Sequence, residues 1–319
     1  MRNSKVLGAV SWVGAAVVSF VVATVIAGWS PTPLVIAAQG LLPLVVAGGV
    51  IVAALSAVRR AWAPTGVALA ATGLGAMLVV SATVPADVPT WAASSATAPS
   101  FTVFASNLLL SNPDPDRGLE PAVRSDADVI VLSEFVPAFE PALRRSGLLR
   151  RYPTVVRAAG GNVLLTKLPA TGQGVVRSEG LAMPTASVRV AGRDVFVIGV
   201  HTLAPHAKGS LGTWSRNLEG VARAASGHAD VIAVGDFNAG PWNGPFRRLL
   251  DWGFVDAHRS LGHGLSRTWG PRRAGLHGRV RLLGLDHSLS RGGLAPTSVV
   301  DVDVPGSDHR AIGVTYAVR

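Results

Sequence analysis

Residues 230–239 read Asp230-Val-Ile-Ala-Val-Gly-Asp236-Phe-Asn238-Ala. The apolar run from Val231 to Val234 has strand character. It then meets Asp and Asn, types that a strand interior disfavours. The same arrangement recurs on both sides of this stretch. Phe101–Ser106 runs into Asn107, Asp128–Ser133 into Glu134, and Val195–Val200 into His201. Leu282–Leu285 is followed by Asp286 and His287, and Ser307-Asp308-His309 precedes a final apolar run. Taken singly, an Asp or Asn after a strand is usually a turn residue. Together these positions supply hard oxygen ligands and imidazoles, the set that metal-assisted hydrolysis requires.

The runs define candidate strands Phe101–Leu109, Asp128–Ser133, Asn162–Thr166, Ser187–Val190, Asp194–His201, Asp230–Gly235, Leu285–Ser290 and Ala311–Val318. Ala191-Gly192-Arg193 suggests a hairpin between two of them. Helical patterns lie at Leu119–Ser125, Phe139–Ser146, Ser215–Ala225 and Pro245–Trp252. Strands mixed with helices and hairpins predict an α/β domain with mixed sheets over 101–319, long enough to bury a sizeable core.

Upstream the chemistry changes. The chain has 319 residues, 49% hydrophobic and only 15% charged, with a formal net charge of +10; about 25% charged is usual for soluble domains. Four basic residues, Arg2, Lys5, Arg59 and Arg60, and no acidic ones precede Asp87. A bilayer core needs about 20 apolar residues per helix. The uncharged runs divide into spans at about Val6–Ala27, Leu34–Ala57 and Trp62–Val84, with Pro43 placed to kink the second. Trp12, Trp29 and Trp62 include interface anchors. A cleaved signal peptide over 1–30 would explain the first run alone, and three successive runs exceed one apolar h-region. The basic residues flank the same side of the spans, which the positive-inside rule makes cytoplasmic. The expected organisation is a transmembrane region at 1–84, a Pro/Ala/Ser/Thr-rich extended linker at 85–100, and an extracytoplasmic domain at 101–319, in a multi-pass protein of the plasma membrane. The absence of Cys excludes disulfide scaffolds, Cys-based zinc sites, iron–sulfur clusters and thiol nucleophiles.

The series Asn107, Leu-Ser-Glu134, Gly-Val-His201, Gly-Asp236-Phe-Asn238-Ala, Leu-Asp286-His and Ser-Asp308-His309-Arg resembles the endonuclease/exonuclease/phosphatase superfamily. The resemblance implies a four-layer, DNase I-like α/β sandwich with the site at the strand ends. It implies a Mg2+-dependent phosphoric ester hydrolase, with Mn2+ as an alternative ion. By position, Glu134 would bind the metal, with Asn107 and Asp308 in the same region. Asp236 would position or deprotonate the attacking water, and Asn238 would hydrogen-bond a phosphate oxygen. His309 would act as base or transition-state stabiliser, with Asp286 fixing its tautomer, and His201 would be a second phosphate-facing imidazole. Two positions depart from the common pattern: Ser133 stands where many members have Gln, and Val200 where many have Thr, with Thr202 following. Neither removes a ligand. His287 alternates away from Asp286 on its strand and is left out of the set.

Residues 259–281 hold six arginines and no carboxylate. The segment reads either as a solvated loop or as an anion-gripping wall in which Arg272, Arg273, Arg279 and Arg281 bind phosphate. Thr268-Trp269 would pack it against the core. A domain tethered by a short linker outside the cytoplasm has access to lipid head groups, lipid-linked cell-wall carriers and extracellular nucleic acid. The combination of three spans and this domain is similar to the teicoplanin-resistance VanJ-type membrane proteins of actinobacteria, which implies a membrane-associated phosphate ester or pyrophosphate as substrate. The lipid bilayer is then a partner through the helices, and no stable nucleic-acid partner is expected. A surface nuclease and a non-enzymatic cell-wall ligand-binding resistance protein are the competing readings. The oligomeric state is left open.

Overall fold

The structure is a computed structural model that describes residues 2–87, 89–93, 99–206, 209–271 and 280–319. Its C-terminal domain holds two six-stranded sheets. The first runs, edge to edge, β11 (Leu294–Asp303), β12 (Arg310–Val318), β1 (Ser100–Asn107), β2 (Val129–Ser133), β4 (Asn162–Thr166) and β3 (Thr154–Ala158). The second runs β5 (Ala170–Ser178), β6 (Leu181–Val190), β7 (Arg193–His201), β8 (Asp230–Asp236), β10 (Asp286–Arg291) and β9 (Val255–Asp256). Each sheet contains one parallel pair, β1 with β2 and β7 with β8, and is otherwise antiparallel.

Strand periodicity separates the cores. Ile232 and Val234 of β8 meet Val103, Val131 and Ile312 between the sheets. Val231 and Ala233, one residue out of phase, pack with Trp214, Leu218 and Phe246 from helices Ser210–Ala225 and Gly244–Asp251. Ile130 and Leu132 of β2 meet Leu119 and Leu143 of helices Pro115–Ser125 and Glu140–Arg145 on the outer face of the first sheet. The domain is therefore an α/β sandwich of two mixed sheets covered by helices, as expected. Ala191 and Gly192 both have positive φ between β6 and β7, the turn geometry that matches strand twist in a two-residue hairpin.

Among the described residues, the apolar N-terminal region up to Val80 forms four helices: α1 (Arg2–Ile26), α2 (Pro33–Gly40), α3 (Leu42–Val58) and α4 (Trp62–Val80). Two are long and apolar enough to cross a membrane, over Gly8–Ile26 and Trp62–Val80, and α2 with α3 makes a third only if the bent pair counts as one span. The expected second span, Leu34–Ala57, is thus broken, with an 82° bend between its parts. Pro43 explains the position of the break. In a continuous helix its ring would meet the carbonyl of Gln39, so α2 ends at Gly40 and Pro43 falls in the first turn of α3.

The linker expected at 85–100 lies partly outside the described residues. The C-terminal domain packs directly against the helices. Ile36 of α2 packs within the core around Trp214 and Phe237, and Trp242 packs among Val18, Val22 and Leu42. Gly244 lies so close to Gly28 that a Cβ would reach 1.9 Å from its carbonyl oxygen. Beyond the helices, the amide of Ala86 donates to Ser260 at 2.8 Å, and Thr90–Ala93 forms one helical turn rather than extended chain.

One buried ion pair braces the second sheet. His287 Nδ1 lies 3.0 Å from Asp256 Oδ2, and Nε2 lies 2.9 Å from the Ala239 carbonyl. Both partners only accept, so both nitrogens carry protons. Burial opposes this charge on His287, but the Asp256 carboxylate outweighs it and raises the imidazole pKa. Burial likewise opposes ionisation of Asp256, and His287 brings its pKa below the ordinary value. The His287 contribution to stability is complete below its ordinary pKa of 6.5 and is lost as pH rises through the raised value. The Asp256 contribution is complete above 3.8 and is lost as pH falls through the lowered value. His287→Leu should cost about 3–5 kcal/mol at neutral pH by stranding Asp256. Thermal unfolding in detergent should show this loss, with the alkaline destabilisation of the wild type absent from the variant.

Candidate active site

The parallel pairs carry four polar residues to one end of the sandwich. Asn107 ends β1, Glu134 follows β2, His201 ends β7 and Asp236 ends β8. Asp286 opens β10 directly opposite Asp236 in the antiparallel register, and His309 directly precedes β12. The backbone turns sharply at these ends. Glu134 and Asn238 both adopt positive φ, +55° and +47°, a conformation costing of order 1–3 kcal/mol that clusters at functional sites. Gly235 is required before Asp236, because a Cβ there would lie 2.1 Å from the Val200 carbonyl oxygen.

Asn107 is the hub. Its Nδ2 donates to Glu134 Oε1 and to Asp236 Oδ2, each at 3.0 Å. Glu134 Oε2 accepts from the Leu110 amide at 2.8 Å, and Asp236 Oδ1 from the Asn238 amide at 2.8 Å. Asn238 Nδ2 donates to the Thr202 carbonyl at 2.9 Å. On the other side, His309 Nδ1 meets Asp286 Oδ2 at 2.9 Å, while Nε2 lies 3.7 Å from Asp236 Oδ2. Burial opposes charge on His309, but Asp286, Asp236 and Asp308 together push its pKa up to about 10. Burial also pushes the Asp286 carboxyl pKa up, against the pull of His309. The imidazole is therefore held as a cation among carboxylates.

His201 Nδ1 lies 3.2 Å from Asn162 Oδ1, and Nε2 lies 4.0 Å from Glu134 Oε1. The Asn162 amide nitrogen is committed to the Ala182 carbonyl at 2.9 Å, so its oxygen faces the ring and Nδ1 is the donor. This leaves Nε2 toward the cavity. Glu134, His201, Asp236, Asn238, Asp308 and His309 all line one cavity of about 490 Å³. The residues fit a hard cation: Glu134 offers carboxylate oxygens there, and Asp308 Oδ1 is buried without a hydrogen-bond partner. Asp236, Asp286 and His309 also bring ligand atoms within 4.8 Å of one another, but Asp286 and His309 are bonded to each other. The similar cluster of Asp256, His258 and His287 has both His287 nitrogens committed to the brace described above.

Of the arginines proposed as a phosphate wall, Arg272, Arg273 and Arg279 lie outside the described residues. Arg281 is mostly buried, with Nη2 3.4 Å from the His309 carbonyl and 3.8 Å from Asp303. Burial lowers its pKa. Thr268-Trp269 does pack as expected: Thr268 Oγ1 accepts from the Leu285 and Asp286 amides at 3.0 and 3.1 Å, and Trp269 bridges to His309. Asn162, Thr268 and Ser307 position the site without having been singled out for it. Ser307 Oγ donates to the Asn107 carbonyl at 2.8 Å and accepts from the His309 amide at 3.0 Å. A Ser directly before Asp-His, and a Thr before the Asp286 strand, are the signals that could have marked two of them.

Residues 105–309, well over half of the chain, match the Endonuclease/Exonuclease/phosphatase family. No curated protein matches the chain. Among solved structures, an endonuclease/exonuclease/phosphatase from Beutenbergia cavernae DSM 12333 is 17% identical with a TM-score of 0.56, covering 69% of this chain and 72% of that one. One from Bacteroides vulgatus is 12% identical, with a TM-score of 0.55, covering 69% and 99%. Humanized D. rerio TDP2 is 15% identical, with a TM-score of 0.54, also covering 69% and 99%. At these identities the likeness is one of fold. Replacing Asp286 by Asn removes the nearest charge on His309, so the imidazole pKa should fall from about 10 toward 6.5. The pH titration of its carbon-bound proton resonances would show this, and an unmoved value would refute the assignment.

Proposed function

We propose, for a chain that belongs to the endonuclease/exonuclease/phosphatase family and is a metal-dependent phosphoric ester hydrolase, that its substrate is a phosphate ester or pyrophosphate carried by a membrane lipid, cleaved on the extracytoplasmic face. The observation that carries this reading is that helix α2, part of the apolar N-terminal region, forms a wall of the same cavity that holds Asp236 and His309. Arg2, Lys5, Arg59 and Arg60 favour a cytoplasmic N-terminus. A three-span arrangement then puts the cavity outside, where chromosomal DNA and cytosolic second messengers are out of reach. Lipid head groups and lipid-linked cell-wall carriers are the membrane-borne phosphates within reach there.

The division of labour follows from the geometry. Asp236 keeps its carboxylate fixed by Asn107 and the Asn238 amide, so it can orient a water for attack on phosphorus. His309 is held protonated, so its Nε2 offsets charge on the phosphoryl oxygens or donates to the leaving oxygen. Asp286 fixes the ring through Nδ1. As the imidazolium, His201 would donate its Nε2–H to a second phosphate oxygen while Nδ1 stays on Asn162, and Asn238 retains one amide proton for another. Glu134, Asp308 and Asn107 would hold the divalent cation, assigned as Mg2+ from the oxygen donors. When bound, the ion supplies positive charge to the phosphoryl group as a Lewis acid.

Purified full-length protein in detergent should release phosphate from undecaprenyl pyrophosphate with Mg2+ and not with chelator. His309→Ala should lower the rate by about 10²–10⁴-fold. Release no greater than that of the variant would refute the lipid-carrier reading. Plasmid nicking dependent on Asp236, with no action on lipid phosphates, would favour the surface nuclease instead. A reporter fused after Arg319 should be active outside the cytoplasm.

A further inference from the structure

The catalytic cavity has two chemically different halves. One is the polar set described above. The other is built from Pro33, Ile36, Ala37 and Gly40 of α2, with Leu181 and Leu203 contributed by the catalytic domain. At about 490 Å³ the cavity holds far more than a phosphate group.

The sequence of α2, Pro-Leu-Val-Ile-Ala-Ala-Gln-Gly, has a single polar side chain, Gln39. That side chain is turned away from the cavity and fully used. Its Nε2 donates to Thr24 Oγ1 at 3.2 Å and to the Trp29 carbonyl at 2.9 Å. Its Oε1 accepts from Ser30 Oγ at 2.7 Å and from Asn243 Nδ2 at 3.1 Å. Asn243 Nδ2 also donates to the Ile36 carbonyl at 3.0 Å, and Asn243 Oδ1 accepts from the Gly240 amide at 2.6 Å. Gly240 lies two residues beyond Asn238 and against Gly40, so close that a Cβ would come within 3.3 Å of the Gly40 Cα. The helix is thus pinned to the loop that carries Asp236 and Asn238, and the side chains it presents to the cavity are hydrocarbon alone.

A sugar hydroxyl or peptide group against that wall would lose hydrogen bonds to water without replacement. A hydrocarbon chain would lose nothing. The apolar surface also continues outward: Pro33 is exposed, Leu34 is 80% exposed and Trp29 is 55% exposed at the turn joining α2 to α1. Bent 82° from α3, α2 lies between α1, through Gln39 and Thr24, and the catalytic domain, whose core Ile36 enters.

We infer that α2 is a substrate-selecting wall that holds the first segment of the hydrocarbon chain attached to the scissile phosphate, so that the enzyme prefers long-chain esters over the same head group without a chain. This inference rests on the membrane-lipid reading above and names the part of this chain that enforces it. Gln39 and Asn243 are positioning residues, acting through α2.

The test uses the full chain in detergent and two substrate series with constant head groups. One is p-nitrophenyl phosphodiesters of methyl, octyl and hexadecyl alcohol; the other is isopentenyl, farnesyl and undecaprenyl pyrophosphate. For the series that is hydrolysed, kcat/KM should rise with chain length. Ala37→Asn and, independently, Leu203→Asn should cut the ratio of long-chain to shortest-chain kcat/KM by about tenfold, the equivalent of ~1.4 kcal/mol of lost apolar contact. The loss should fall mainly on KM. A general folding defect lowers both rates and leaves their ratio unchanged, so an unchanged ratio in both variants overturns the inference. Wild-type hydrolysis indifferent to chain length also overturns it while leaving the phosphoesterase reading intact. No hydrolysis of any member of either series is failure of the underlying reading, and the inference falls with it.

Discussion

Each sheet has one parallel strand pair near its centre, and this constraint orders everything else. Parallel neighbours end at the same edge, so β1 with β2 and β7 with β8 deliver Asn107, Glu134, His201 and Asp236 to a common end. The sheets pack face to face through Val103, Val131, Ile232 and Val234, which brings the two ends together. Asn107 closes the gap by donating to a carboxylate from each sheet. The cluster exists because both sheets terminate together, and a shift of one residue in either register would turn these side chains to the opposite face.

The cluster concentrates charge where water is scarce. Asp236, Asp286 and His309 are all buried, and the imidazolium lies between the two carboxylates. Isolated, any of these ions would carry a large desolvation penalty. Their mutual attraction and the backbone amides offset it. The same logic governs the Asp256–His287 pair one residue away along β10. Adjacent residues of one strand thus serve opposite purposes: Asp286 orients His309 from behind, while His287 packs against Phe246 and braces the sheet through Asp256.

The apolar helices are built into the catalytic domain. Ile36 enters one core and Trp242 the other, and glycines on both sides permit backbone contact. Gln39 makes the junction specific, since each of its polar atoms is matched by a partner from α1, the α1–α2 turn or the catalytic loop. Burying an amide among apolar helices is tolerable only when it is satisfied in this way. The apolar region therefore shapes the cavity as well as carrying it.

The sequence alone determined the interior of the sandwich and the contents of its site. The central strands β1, β2, β4, β6, β7, β8, β10 and β12 are legible, β6 only in part, because strands packed on both faces are nearly continuous apolar runs. The strands that escape notice, β3, β5, β9 and β11, are all sheet edges; β5 carries Gly172 and Gly174, and β11 carries Pro296 beside a register shift. Edges bury less, so their composition is free to resemble loop. The residues that gather at the cavity were legible because a polar side chain just past an apolar run is conspicuous. Asn162, Asn243 and Gln39 were not, since a lone amide carries no local sign of the partner that will satisfy it. Tertiary structure decided the rest: that three carboxylates gather around His309 and raise its pKa, and that α2 lines the same cavity as Asp236 and His309. These depend on distances between segments remote in the chain. A uniform apolar run such as 34–58 looks the same whether it crosses a bilayer straight or folds back onto its own enzyme.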